Sequence, residues 1–230
     1  MGNSVSTAAV RPLARRGFGV GFDQRLPYRR GWLDAPAALA GLTQQDRLPE
    51  TTRDEEKCAP MVALAAAIVS GRGNFERLLR AVEERRSGVS NPRDQKALPQ
   101  IRAHFEAGCL TTGDLQRFGD AFYRAFLTGL GADDDEIERM LTACGLKAVK
   151  TLGSTPAEIL NSLRRGELFP TSLVVDGIWH VTLIWKDAAG VVRLYDSDRL
   201  RGSQVLTAGT PRFERYLRAT PCETLGKKFA

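Results

Sequence analysis

The sequence is short of histidine, and its cysteines are too widely spaced to act as paired metal ligands. Two histidines and four cysteines occur in 230 residues, and no cysteine pair is separated by only two positions. Structural zinc sites draw their ligands from closely spaced cysteine and histidine pairs. We therefore expect no metal site and no cofactor. Unpaired, reduced thiols favour a cytosolic working environment.

Long apolar runs are also lacking. No segment approaches the roughly 20 apolar residues of a membrane-spanning helix, and the first residues do not have the pattern of a secretory signal peptide. The net charge is +6, but the arginines are interleaved with acidic residues. Because no basic stripe with interleaved aromatic residues is present, we expect no nucleic-acid partner.

The pattern along the chain predicts an α+β fold. Residues 1–30 are rich in Ser, Ala, Gly and Arg without an apolar period, which predicts a flexible N-terminal arm, and residues 31–230 form one domain. An apolar helix is expected over 59–70, ended by glycine. Amphipathic helices follow, and then short β-branched and aromatic runs that predict antiparallel strands. The predicted segments after 70 are helices at about 74–86, 93–107, 113–129, 133–144 and 155–165, strands at 173–175, 179–185 and 191–195, and a last short helix at 213–217.

One of the two histidines lies in a predicted strand. His104 is on an amphipathic helix, where a surface or boundary position is expected, whereas His180 is in the run Gly-Ile-Trp-His-Val-Thr-Leu-Ile-Trp. If Lys186 pairs near Val191 across the following turn, position 180 falls opposite 196 or 197. Asp196 can then accept from one ring N–H and leave the other nitrogen free as a base. Asp198 is the alternative, through a shift of register.

Cys58 stands where the apolar helix begins. A thiol in the first turn of a helix lies at the positive end of the helix dipole, which favours thiolate. The acidic run at 54–56 just upstream would oppose this if it lies close in space. Taken alone, Cys58 can also be a buried structural thiol, as we expect for Cys109 and Cys144. Combined with the histidine hairpin, it predicts a nucleophile.

These motifs resemble those of a known superfamily. Cys58-Ala59-Pro60 at the start of an apolar helix, Trp179-His180-Val181 and Tyr195-Asp196 are similar to the motifs of papain-like cysteine proteases. The wide Cys-to-His interval is most like bacterial effector proteases and deamidases of the YopT/AvrPphB/OspI type. The resemblance implies a papain-like fold, with a buried nucleophile helix on a small antiparallel β-sheet, and Cys-His-Asp catalysis. It implies a cysteine protease, with a glutamine deamidase as the alternative; a catalytically inactive interaction protein is the non-enzymatic alternative.

The chain departs from the family pattern upstream of the nucleophile. Papain-like enzymes carry a Gln or Asn there that donates to the oxyanion, but Thr52 and Arg53 occupy those positions, and Gln44 and Gln45 lie farther back. The backbone N–H of Cys58 can be one donor. Thr52, Gln45 and Gln44 remain the candidates for the other.

The N-terminal residues fit a lipidation motif. Met1-Gly2-Asn3-Ser4-Val5-Ser6 satisfies the pattern for N-myristoylation at Gly2, although so short a pattern also arises by chance. Bacteria do not carry out this acylation, so for an effector it would occur after delivery into a eukaryotic cell. The resemblance thus implies a protein secreted by a bacterium, through type III secretion, into the host cytosol. It also implies a host protein as substrate, and possible association with the host membrane.

Overall fold

The computed structural model has the α+β architecture expected from the sequence. It describes residues 25–26, 28–29, 32–33, 38–39, 42, 58–71, 74–86, 92–126, 134–151, 156–175, 178–197, 205–218, 220–221 and 227–229. Within residues 58–221 a run of helices precedes most of an antiparallel sheet, so the prediction of an α+β chain is confirmed.

The helices lie close to their predicted bounds. Their residues are α1 Cys58–Val69, α2 Phe75–Arg86, α3 Pro92–Glu106, α4 Thr112–Phe126, α5 Asp134–Ala143, α6 Pro156–Ser162 and α7 Pro211–Leu217. Helix α4 begins with a capping box: Thr111 Oγ1 accepts from the Asp114 N–H, and the Asp114 carboxylate accepts from the Thr111 N–H. Asp114 thus caps the helix from inside its first turn. No described helix is both long and apolar enough to cross a bilayer.

Helix α1 is buried on all sides, as its uniformly apolar sequence predicts. It packs against β5 and β4 on one side and against α4 and α5 on the other. Pro60 lies in its first turn, where its missing N–H costs no hydrogen bond. The helix ends before Gly71, whose φ of 66° is accessible to glycine without strain. At Gly119 of α4, an added Cβ would lie 2.6 Å from the Met61 side chain, so glycine permits the close approach of α4 to α1.

The sheet is antiparallel in all its described pairings. It contains seven strands in the order β3-β9-β4-β5-β6-β7, with β8 paired to β4, and a separate ribbon is formed by β1 and β2. The strands are β1 Tyr28–Arg29, β2 Trp32–Leu33, β3 Ala148–Thr151, β4 Leu168–Val175, β5 Ile178–Lys186, β6 Val192–Tyr195, β7 Val205–Thr207, β8 Thr220–Pro221 and β9 Lys227–Phe229. Six of these, β1–β3 and β7–β9, were not expected from the sequence.

The two faces of the sheet bury separate apolar clusters. Val181 and Leu183 of β5 lie in the cluster that contains α1–α5. Ile184 of β5 and Leu194 of β6 lie in the second cluster, with α6 and α7. Because side chains alternate along a strand, β5 separates a helical layer on one face from a smaller layer on the other.

Residues before α1 also contact this body. The Leu26 N–H donates to the Leu110 carbonyl at 2.8 Å, and Arg25 pairs with Thr111. Leu26, inside the range assigned to the arm, is 4% exposed. The hydroxyl of Tyr195 donates to the Leu42 carbonyl at 2.7 Å. Arg25 and Leu26, near the end of the predicted arm, therefore pack on the domain. Residues 1–24 lie outside the described residues.

Candidate active site

Cys58 is the first residue of α1, as the sequence predicts. It is 7% exposed and belongs to the apolar cluster on the helical face of the sheet. The N–H groups of the first turn of a helix have no acceptor within that helix. The Cys58 N–H therefore lies beside its own sulfur as a donor that an oxyanion could use.

His180 lies in β5, opposite Leu173 of β4. Its ring interacts with the side chain of Cys58 strongly enough to raise the pKa of the imidazole, and its Nε2 is 2.8 Å from Asp196 Oδ1. A carboxylate only accepts, so Nε2 carries the proton in that bond. This leaves Nδ1 for the thiol. The structure thus brings together the three residues that the sequence names as the candidate triad.

Asp196 follows the last residue of β6 and has no exposed surface. Its two carboxylate oxygens have different partners. Oδ1 accepts from His180, whereas Oδ2 accepts from Arg212 Nη2 at 2.6 Å and from the hydroxyl of Tyr216. Arg212 and Tyr216 are four residues apart on α7, so they project from the same face of that helix.

The protonation of His180 is set by these neighbours. Burial lowers the pKa of the imidazole, because it disfavours the charged ring, but the hydrogen bonds to Asp196 and Cys58 and their negative charges raise it. The balance raises the pKa of His180 from 6.5 to about 9. At neutral pH the ring therefore favours the imidazolium form, which is the partner that a thiolate needs.

The site joins the two layers of the molecule. Cys58 belongs to the cluster on the helical face of the sheet, whereas Tyr216, which holds Asp196, belongs to the cluster on the opposite face. His180 is hydrogen-bonded to Asp196 and also interacts with Cys58. The imidazole thus connects a helix on one side of the sheet with a helix on the other.

The other histidine and two of the other cysteines lie elsewhere. His104 Nδ1 is 2.9 Å from the buried carboxylate of Asp114, at the start of α4, so it occupies the boundary position expected for it. Cys144 is fully buried, and burial raises the pKa of its thiol to about 12, which suits the expected structural role. Cys109 is half-buried.

Several predicted positions lie outside the described residues. They are the oxyanion candidates Thr52, Gln45 and Gln44, the acidic run 54–56, the alternative Asp198, Cys222 and the lipidation site Gly2. The choice of a second oxyanion donor therefore stays a prediction. Within the described ranges, no group of three or more His, Cys, Asp or Glu side chains is placed to hold a metal ion.

Arg212 and Tyr216 were missed by the sequence analysis. Both lie in a seven-residue helix with several charged residues, which reads as a solvated surface helix. Their four-residue spacing was the available signal, because it puts a guanidinium and a phenol on one face beside the buried Phe213.

Comparison of the chain with protein-family models, with curated proteins and with solved structures found no significant match.

Proposed function

We propose that this chain is a papain-like thiol hydrolase, in which Cys58 attacks an amide carbonyl, His180 transfers the proton and Asp196 orients the imidazole. One observation carries the proposal. The ring of His180 interacts with the helix-start thiol and is hydrogen-bonded to a carboxylate with no exposed surface. A nucleophile, a base and a group that orients the base are the parts that covalent amide hydrolysis requires.

The reaction follows from these roles. The Cys58 sulfur forms a bond to the carbonyl carbon, and the thiol proton resides on His180. The tetrahedral intermediate collapses, the carbon–nitrogen bond breaks, and His180 gives its proton to the leaving nitrogen. Water then adds to the thioester and gives one proton to His180; its hydroxyl stays on the carbonyl carbon. The sulfur leaves and recovers its proton, so the enzyme returns to its starting state.

A purely structural role for Cys58 accounts poorly for its surroundings. A thiol in an apolar core needs no charged partner. Burying the imidazole of His180 beside Cys58, together with the Asp196 carboxylate that bonds the ring, costs desolvation free energy. Clusters of this kind, with a strongly raised histidine pKa, occur preferentially at functional sites. This favours an enzyme over an inactive interaction protein.

The substrate class is a protein. If the attacked carbonyl is in a peptide bond, the reaction is proteolysis; if it is in a glutamine side chain, the same steps give glutamate and ammonia. We propose the protease, in line with the resemblance of Cys58-Ala59-Pro60 and Trp179-His180-Val181 to papain-like enzymes. The likeness to bacterial effectors extends the proposal to a host protein as substrate and to action in the host cytosol, with Gly2 as the site of lipidation.

The test compares matched variants on a complex substrate mixture. Purified protein and its Cys58→Ala variant are incubated with a eukaryotic cell lysate, with Cys109→Ala as the control for loss of an unrelated thiol. We expect new protein N-termini with the native protein and with Cys109→Ala, reduced by about three orders of magnitude or more with Cys58→Ala. Glutamine-to-glutamate conversion without new N-termini would instead assign the deamidase.

A thiol probe supplies the opposing outcome without requiring a known substrate. Iodoacetamide labelling followed by peptide mapping gives a rate for each cysteine. If Cys58 reacts no faster than Cys109 at any pH, and Cys58→Ala leaves the lysate products unchanged, the chain is not a thiol hydrolase.

A further inference from the structure

Helix α7 closes the side of Asp196 that faces away from His180. Oδ2 of the carboxylate accepts from Arg212 Nη2 at 2.6 Å and from the Tyr216 hydroxyl, while Oδ1 accepts from His180. Asp196 and Tyr216 are buried, and the Arg212 side chain is 21% exposed. With both oxygens held from fixed elements, the carboxylate cannot rotate without losing one of these bonds.

The charges of this cluster balance only when Arg212 is counted. In the reactive form, Cys58 is a thiolate, His180 an imidazolium and Asp196 a carboxylate, which together leave one uncompensated negative charge in a buried site. Burying a net charge is costly, and the usual response is uptake of a proton. The guanidinium of Arg212 adds a second positive charge and makes the four groups neutral overall.

We propose that Arg212 and Tyr216 are positioning residues of the hydrolase site. Arg212 balances the charge that allows thiolate and carboxylate to coexist, and Tyr216 fixes the carboxylate rotamer that aims Oδ1 at the imidazole. The inference rests on the proposed function, because it assigns a role to residues that act through Asp196 and His180. It makes α7 part of the machinery, although neither residue touches the substrate.

Tyr195, a described residue whose pKa responds to the Asp196 charge, does not supply this positive charge. Tyr195 on β6 is fully buried, and burial together with the nearby Asp196 charge raises its pKa well above 10.0, so it stays neutral. Its hydroxyl donates a hydrogen bond to the Leu42 carbonyl. Cys58 on α1 is linked to the carboxylate through the imidazole of His180. Among these partners, Arg212 is the one permanent cation.

The test is the pH dependence of Cys58 alkylation, which needs no substrate. Iodoacetamide rates for Cys58 are measured by peptide mapping from pH 4 to 10. We compare the native protein with Arg212→Gln, Arg212→Lys and Tyr216→Phe. Arg215→Gln is the matched control, since it removes the same charge from an exposed position of the same helix.

We expect Arg212→Gln to move the Cys58 profile upward by roughly one pH unit. Removing a positive charge makes every neighbouring acidic group hold its proton to higher pH. Tyr216→Phe should give a smaller shift in the same direction, because it removes a donor to the carboxylate but no charge. Arg212→Lys should restore a profile close to the native one, and Arg215→Gln should leave it in place. A merely structural role would reduce stability without moving the profile.

The opposing results are distinct. Suppose that native Cys58 reacts faster than Cys109, but the pH profile of Cys58 alkylation in Arg212→Gln and in Tyr216→Phe is the same as in Arg215→Gln. This inference is then wrong and the proposed function stands. If native Cys58 reacts no faster than Cys109, the proposed function fails and the inference fails with it. Should Arg212→Gln not fold, Tyr216→Phe carries the test alone, because it removes a single oxygen atom and keeps the buried ring.

Discussion

His180 and Asp196 are hydrogen-bonded at 2.8 Å although they are not directly opposed in the sheet. Leu183 of β5 pairs with Tyr195 of β6, and Lys186 pairs with Val192. Continued by one residue, this register places Asp196 opposite Thr182, so the contact with His180 is diagonal. Diagonal neighbours on one face are within reach of long side chains. The imidazole of His180 spans this distance, and Asp196 can then reach α7 with its second oxygen.

The first prediction concerns Asp196→Asn. An amide presents no charge to the imidazole, so the pKa of His180 should fall from about 9 towards 6.5. Catalysis should drop by roughly 10⁴-fold, the loss seen when the orienting carboxylate of such a triad is neutralised. The measurement is an NMR titration of the ring signals, with His104 as the internal reference. Asp187→Asn, the same change in the β5–β6 turn, is the control, and a His180 midpoint that stays near 9 in Asp196→Asn would contradict the assigned contact.

The second prediction is a dependence of stability on pH. Because the pKa of His180 is raised in the folded protein, its contribution to stability is complete below the unfolded value of 6.5 and is lost as pH rises through about 9. A shift of this size corresponds to about 3 kcal/mol as an upper figure for an isolated group. Urea unfolding between pH 6.5 and 9.5 should show that the free energy of unfolding of the native protein falls as pH rises. For His180→Gln the free energy of unfolding should depend less on pH. Parallel curves for the two proteins would exclude this linkage.

The third prediction concerns Cys144. Its thiol has no exposed surface and a pKa of about 12, so the thiolate is scarce and out of reach. In the native protein we expect iodoacetamide to leave Cys144 unlabelled while Cys58 and Cys109 react, and in urea we expect all three to react. Labelling of native Cys144 at the rate of Cys109 would show that α5 does not pack as described.

The fourth prediction concerns Gly2. Expressed in eukaryotic cells with an alkyne analogue of myristate, the native chain should be labelled and Gly2→Ala should not. A single acyl chain gives marginal membrane binding. Only a fraction of the labelled protein should therefore sediment with membranes, unless Arg11, Arg15 and Arg16 add electrostatic attraction to the lipid surface. Absence of label in the native chain would identify the motif as a chance match.

The sequence predicts the structure best where the physical signal is local. The uniform apolar run of α1 and the 3.6-residue periods of the helices gave bounds within one to three residues for most helices. The β-branched and aromatic runs around His180 located β5 and β6, and with them two members of the candidate triad, His180 and Asp196. The predicted pairing of Lys186 with Val191 was one residue off, since Lys186 pairs with Val192. The predicted contact survives because Asp196 reaches His180 diagonally.

The features that the sequence did not predict depend on contacts between distant parts of the chain. Strand β3 pairs with β9, about 80 residues later, and both are too short to display an alternating pattern. Leu42 and Leu26 are buried by residues far along the chain, which no window over 1–57 could indicate. The partners of Asp196 on α7 fall in the same class, because a local pattern cannot show that Arg212 points inward at a carboxylate.

The support of Asp196 by α7 also orders events in time. Cys58 is synthesised early, but Arg212 follows about 150 residues later, which at ribosomal rates of about 5–20 residues per second is a delay of roughly 8–30 s. For most of that interval the thiol lacks its base, His180, and for all of it the thiol lacks Arg212. A nascent or truncated chain that ends before α7 would therefore lack the charge balance proposed for the site, so the proposed activity should reach its full level only when synthesis is nearly complete.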